Sequence, residues 1–136
     1  MKTITTYLIE DSAVIRESLI ATLEELSDVR VIGTAEDESS ATRWLLEENN
    51  RPDLVIIDLF LKTGTGLGVL KSMRDQDHDS TLVVLTNYAT KDMCHKCLAL
   101  GATRVFDKSH EVDALILYCN QLSSGGVGGG APRMLQ

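Results

Sequence analysis

Residues 53–58 read DLVIID, and this stretch constrains the fold more than any other. Leu54, Val55, Ile56 and Ile57 are consecutive apolar residues, the last three β-branched. Such a run is too short for an ordinary helix. It also lacks the alternation of a strand with one face in water, so it predicts a strand covered on both faces. The run ends at Asp58 and is followed by the glycine-punctuated loop Gly64, Gly66, Gly68. Open α/β sheets place their ligands beyond the carboxyl ends of the strands, so Asp58 is a carboxylate where chemistry is expected.

The chain on either side of this strand alternates between two kinds of pattern. Residues 3–10 are strand-like, with Ile4, Tyr7, Leu8 and Ile9, and close on Glu10-Asp11. Residues 13–27 carry Ile15, Leu19, Leu23 and Leu26 at helical spacing, with Arg16, Glu17 and Glu24 outward. A second strand is expected over 29–35. A second helix follows over 36–50, with Ala41, Trp44, Leu45 and Leu46 inward. A third helix over 67–73, a fourth strand over 81–85 ending at Thr86, and a fourth helix over 91–100 stopped by Gly101 come next. A fifth strand over 103–106 runs into Asp107-Lys108, and a fifth helix over 111–122 closes the pattern. Strands alternating with helices imply right-handed crossovers and a parallel sheet covered on both faces. Residues 1–122 therefore form one domain. The glycine-rich residues 123–136 read as a flexible tail with no output domain.

The bulk properties narrow the function. A chain of 136 residues that is 43% hydrophobic is long enough for one packed domain and not for two. A formal net charge of -7 argues against direct contact with nucleic acid or an anionic membrane surface. No apolar run is long enough to span a bilayer, and the N-terminus has no signal-peptide core, so a cytoplasmic protein is expected. Three cysteines, an odd number, read as free thiols.

In a doubly wound sheet the strand ends lie side by side. Strand one delivers Glu10 and Asp11, strand three Asp58, strand four Thr86 and strand five Lys108. Carboxylates ~4 Å apart repel by about 4 kcal/mol at an effective dielectric of 20, so the cluster calls for a cation. Carboxylate oxygens with water suit Mg²⁺. A carboxylate can also attack phosphorus to form an acyl phosphate, whose charge the metal, ammonium and hydroxyl would stabilise.

DLVIIDLF, Glu10-Asp11, Thr86 after VVLT, and Lys108 in VFDKS together resemble the receiver domain of two-component response regulators, over about residues 3–122. The resemblance implies a flavodoxin-like doubly wound (βα)5 fold with a five-stranded parallel sheet in the order 2-1-3-4-5. It implies that Asp58 accepts phosphate from a sensor histidine kinase or phosphotransfer protein. Glu10, Asp11, Asp58 and the backbone carbonyl of Phe60 would hold Mg²⁺. Lys108 would pair with the phosphoryl group, Thr86 would move to hydrogen-bond it, and the Phe106 rotamer would follow. The signal would leave through helix 4, strand 5 and helix 5 to a downstream protein or a phosphorylation-dependent homodimer. The residues bordering the path of a hydrolytic water would be Phe60 and Tyr88. The chain would be a phosphoacceptor switch and not an enzyme in its own right.

Three positions depart from the family pattern. Lys62 and Ser109 stand where prolines are usual, so the Lys108–Ser109 peptide is expected trans, and Asn87 stands where a small residue is common beside the switch threonine. Two other functions compete. One is an aspartyl-nucleophile phosphatase; haloacid-dehalogenase-type hydrolases carry a second Asp two residues after the nucleophile, where this chain has Phe60. The other is a receiver-like scaffold that is never phosphorylated. Glu10-Asp11 taken alone could simply cap the following helix. Cys94 and Cys97, three apart on a helix, read as packing residues, since a zinc site needs about four ligands and no second cluster is present. Asp75, Asp77, His78 and Asp79 read as a solvated loop.

Overall fold

The computed structural model describes residues 2–125. The elements run β1 (Ile4–Ile9), α1 (Ala13–Leu26), β2 (Val29–Ala35), α2 (Glu38–Leu46), β3 (Leu54–Ile57), α3 (Gly66–Arg74), β4 (Thr81–Thr86), α4 (Lys91–Ala99), β5 (Arg104–Asp107) and α5 (Val112–Ser123). All strand pairs are parallel, in the order β2-β1-β3-β4-β5. The alternation of elements predicted a parallel sheet covered on both faces, and the order is that of the flavodoxin-like doubly wound fold implied by the family resemblance.

The uninterrupted apolar run of β3 is explained by two cores, one on each face. Val55 and Ile57 join Tyr7, Ile9, Leu82 and Val84 beneath α2, α3 and α4, where Leu45, Leu70 and Cys97 meet them. Leu54 and Ile56 join Leu8, Val83, Leu85 and Phe106 beneath α1 and α5, where Leu19, Leu23 and Leu115 cover them. Successive side chains on a strand point to opposite faces, so a central strand must be apolar at every position. Trp44 of α2 lies flat on Tyr7 of β1, with ring centroids 4.0 Å apart and planes 4° from parallel.

The helices are set by side-chain caps. Ser12, Asp37, Thr65 and Thr90 each accept a hydrogen bond from the backbone N–H three residues on, at 3.3, 2.7, 3.1 and 3.2 Å. Ser12, and not the acidic pair Glu10-Asp11, therefore caps α1.

Several boundaries move from the sequence expectation. Asp37 caps α2, so that helix begins at Glu38 rather than Glu36. It ends at Leu46, well short of Asn50, because Glu47 turns extended and the Asn50 side chain takes the Trp44 carbonyl at 2.9 Å. Leu46, expected inward, closes the helix and is exposed, as are Ile15 and Leu26 near the ends of α1, where a helix has neighbours on fewer sides. The helix α5 runs on through Ser123, which is buried; its hydroxyl donates to the Lys2 carbonyl at 2.8 Å. The ordered fold thus includes the first residue expected to be tail. Ser124 and Gly125 form the turn that follows it, and the remainder of that expectation, residues 126–136, lies outside the described residues.

Candidate functional site

Strand register brings the acidic residues together. The Glu10 N–H donates to the Ala35 carbonyl at 2.9 Å and the Asp58 N–H to the Ile9 carbonyl at 3.0 Å. These bonds carry the ladder one step past the ends of β1 and β3, so the two carboxylates emerge side by side. Glu10, Asp11 and Asp58 can each place one oxygen within 4.8 Å of the others. Glu10 and Asp58 are buried, and Asp11 is the least buried of the three.

Lys108 reaches this cluster from the end of β5. Its Nζ lies 2.5 Å from Glu10 Oε1 and 2.8 Å from Asp58 Oδ2, and the side chain is only 12% exposed. The second Glu10 oxygen accepts from the Ser12 N–H at 3.0 Å. Burial pushes the Glu10 pKa up, against the hydrogen bonds from Lys108 and Ser12. Burial also works to lower the Lys108 pKa, but its hydrogen bonds to Asp58 and Glu10 outweigh that, so the pKa is raised and the ammonium stays charged. The cation that the acidic cluster requires is thus partly supplied by the chain itself. The carboxylates nevertheless outnumber the ammonium, and oxygen donors at this spacing fit a small divalent cation.

Thr86 closes β4 fully buried, and its Oγ1 accepts from the Tyr88 N–H at 3.2 Å. Phe106 is also buried, but it pairs with Leu85, one step before the Thr86–Asp107 pair of the β4–β5 ladder, so its side chain and that of Thr86 leave opposite faces of the sheet. Its ring centroid lies 5.9 Å from that of Tyr118 on α5, and the Arg104 guanidinium covers both rings at 4.9 and 5.2 Å. Phe60 and Tyr88 stand half exposed, with ring centroids 4.4 Å apart and planes tilted by 55°.

The loop after Asp58 is built from contacts that sequence reasoning missed. The Gly66 N–H donates to the Leu59 carbonyl at 2.9 Å, and a Cβ at Gly66 would run into the Asp58 carbonyl oxygen, so only glycine fits there. Glu38 of α2 accepts from the Thr65 N–H at 2.9 Å, and its carboxylate fills the space over Gly64 and Gly68. Lys62, the residue in place of proline, donates its N–H to the Glu36 carbonyl at 3.2 Å and pairs with the Glu36 carboxylate at 3.5 Å. The loop after Asp58 is therefore stitched to the start of α2. No local pattern signals this, because partners some 27 positions apart meet only after folding. Arg16, expected to face solvent, folds back to donate to the Glu10 carbonyl at 2.8 Å.

Comparison with known proteins shows the family. The family model of the response regulator receiver domain matches residues 6–120. The chain belongs to the response regulator receiver family. A curated relative, the transcriptional regulatory protein YdfI of Bacillus subtilis, is 30% identical over 70% of this chain and 43% of its own length. The receiver chain thus spans less than half of that relative. A LuxR-family two-component response regulator from an Aurantimonas species superposes with a TM-score of 0.80 at 23% identity, over 91% of this chain and 87% of that one. A Burkholderia pseudomallei response regulator, solved with a phosphorylated aspartic acid and a calcium ion, superposes with a TM-score of 0.70 at 23% identity, over 89% and 69% of the two chains. These likenesses confirm the receiver fold, which is consistent with phosphorylation-dependent signalling. Among the described residues no helix is long and apolar enough to cross a membrane.

The cysteines of this receiver lie apart from the acidic site. Cys97 and Cys119 are fully buried, and burial raises both thiols, Cys119 to about 12. Cys94 is partly exposed. A disulfide-exchange reagent such as Ellman's should therefore label Cys94 in the native domain and reach the other two only on unfolding, since the thiolate is the reactive form. Rapid release of all three thiols without denaturant would contradict this packing role.

Proposed function

We propose that this receiver is a phosphorylation switch in which Asp58 accepts the phosphoryl group of a phosphohistidine on a sensor kinase or phosphotransfer protein. The observation that carries the reading is the placement of the Lys108 ammonium between Asp58 and Glu10 at the carboxyl edge of the sheet. An Asp58 carboxylate oxygen attacks phosphorus, the phosphorus–nitrogen bond breaks, and the imidazole leaves with the electron pair. Lys108 meets the charge on the transferring group. Glu10, Asp11, Asp58 and the Phe60 carbonyl are the ligands assigned to Mg²⁺, which when bound offsets the charge of the carboxylates and the phosphoryl oxygens. Thr86 gives up its bond from the Tyr88 N–H to reach the phosphoryl group, and Phe106 follows.

The test is incubation with Mg²⁺ and acetyl phosphate. One hydroxylamine-labile phosphoryl group per chain, absent from Asp58→Asn, is expected. No adduct would leave the scaffold reading, and repeated turnover of a phosphate ester would favour the hydrolase.

The change is passed on through α4, β5 and α5. Phe106 lies one ladder step before Thr86 and its ring meets Tyr118 on α5, with Arg104 covering both rings, so a shift of its rotamer alters that face. Amide exchange over residues 91–122 should change on adding beryllofluoride, and an unchanged pattern would sink this route. The recipient is a downstream protein or a second phosphorylated copy.

The acyl phosphate should be long-lived for a receiver. A hydrolytic water must approach phosphorus opposite the Asp58 oxygen, a path bordered in this family by Phe60 and Tyr88, which here lean on one another. Phe60 has no atom with which to orient a water, and Tyr88 is bulky. Phe60→Asn with Tyr88→Ala should speed phosphate loss by on the order of tenfold, about 1.4 kcal/mol of barrier. The decay is followed after removing the donor in Mg²⁺; a double variant no faster than wild type would show that the pair does not gate water.

A further inference from the structure

Two of the positions that depart from the family pattern touch each other. The Ser109 hydroxyl donates to Asn87 Oδ1 at 2.9 Å. Asn87 follows the switch threonine, and Ser109 follows the lysine of the site. Just inside this contact the Lys108 N–H donates to the Thr86 carbonyl at 2.9 Å, and inside that Thr86 pairs with Asp107. The side-chain bond is therefore one more rung beyond the last backbone rung of the β4–β5 ladder. It joins the loop that carries Thr86 to the loop that carries Lys108.

We infer that Asn87 and Ser109 are a positioning pair that holds the switch loop in its resting place; this rests on the phosphorylation reading above. The two ends of the rung are not equally free. Ser109 is anchored: its N–H and that of His110 donate to Asp107 Oδ1 at 2.7 and 3.1 Å, while the Asp107 N–H donates to Glu111 at 2.8 Å. Lys108 is held independently by Glu10 and Asp58, so losing the rung does not release it. Among the described residues Asn87 has no comparable tether, and it must travel with Thr86 when that residue moves to the phosphoryl group. The bond is formed in the structure described here, where the Thr86 hydroxyl is still occupied by its own loop. Carrying Asn87 away from the anchored Ser109 breaks it. An interaction present in one state and absent in the other biases the equilibrium between them by its own worth. For a single neutral hydrogen bond that bias is roughly threefold to tenfold.

The experiment is a beryllofluoride titration in saturating Mg²⁺, followed by amide resonances of α4 and β5, on Ser109→Ala, Asn87→Ala, the double variant and Ser109→Thr. Each single alanine variant should bind beryllofluoride roughly threefold to tenfold tighter than wild type. The double variant should gain no more than either single, as expected for two ends of one contact. Ser109→Thr keeps the donor and should behave as wild type. The Mg²⁺ affinity without fluoride should stay unchanged in all four, which separates a bias on the switch from damage to the acidic site. Unchanged or weaker beryllofluoride binding in the alanine variants, or additive gains in the double, would overturn the inference. Failure of wild type itself to bind beryllofluoride would instead overturn the phosphorylation reading.

Discussion

Lys108→Met should destabilise the metal-free domain by about 3 kcal/mol at neutral pH, a drop in melting temperature of roughly 10 °C. The substitution keeps most of the buried stem and removes only the ammonium. Glu10 is left 2% exposed and Asp58 10% exposed, with no cation between them. Removing one partner of a buried pair costs more than the pair contributes, because the surviving charge has lost its water and gains nothing in return. Two carboxylates share this one ammonium, which places the effect among the larger ones expected of a single substitution. Millimolar Mg²⁺ should recover a large part of the loss by supplying the missing positive charge. Thermal melts of wild type and variant, with and without metal, measure both. A variant as stable as wild type in metal-free buffer would show that Lys108 is not the internal counterion of the cluster.

Mg²⁺ should also stabilise the wild-type domain, by roughly 2.7 kcal/mol at free metal about 100 times its dissociation constant. The driving force is the excess of carboxylate over ammonium: Glu10, Asp11 and Asp58 can bring oxygens within 4.8 Å of one another, and among the described residues Lys108 alone pairs with them. Asp58→Asn should lose most of this increment, since it takes away one of the two buried carboxylates. Monovalent salt at equal ionic strength should not reproduce it, because screening acts weakly inside a partly buried site. A melting curve insensitive to Mg²⁺ would contradict the shared metal site.

Most of the site was legible before folding was considered. Asp58 follows an apolar run that reads as a doubly covered strand, Glu10 and Lys108 each follow a strand of their own, and Thr86 ends one. Once strands alternate with helices the sheet must be parallel, and a parallel sheet sets all its carboxyl ends on one edge. Order along the chain therefore became proximity in space without any knowledge of contacts. Helix ends were less legible. The early stop of α2 depends on Asn50 reaching back to Trp44, and the exposure of Ile15, Leu26 and Leu46 depends on where each helix runs out of neighbours.

The sequence by itself determined the parallel α/β architecture, the carboxylate at its centre, and the residues that meet there. These follow from local periodicity and from the rule that strand ends converge, both of which act over short stretches of chain. The tertiary structure alone decided how the site is held. It assigned Lys108 to two carboxylates at once, turned Arg16 back to the Glu10 carbonyl, and laid Glu38 over the glycines of the loop after Asp58. It also joined Asn87 to Ser109. Each of these is a single contact between side chains or loops whose positions are fixed by the packing of the whole domain, so its geometry exists only once both cores are closed.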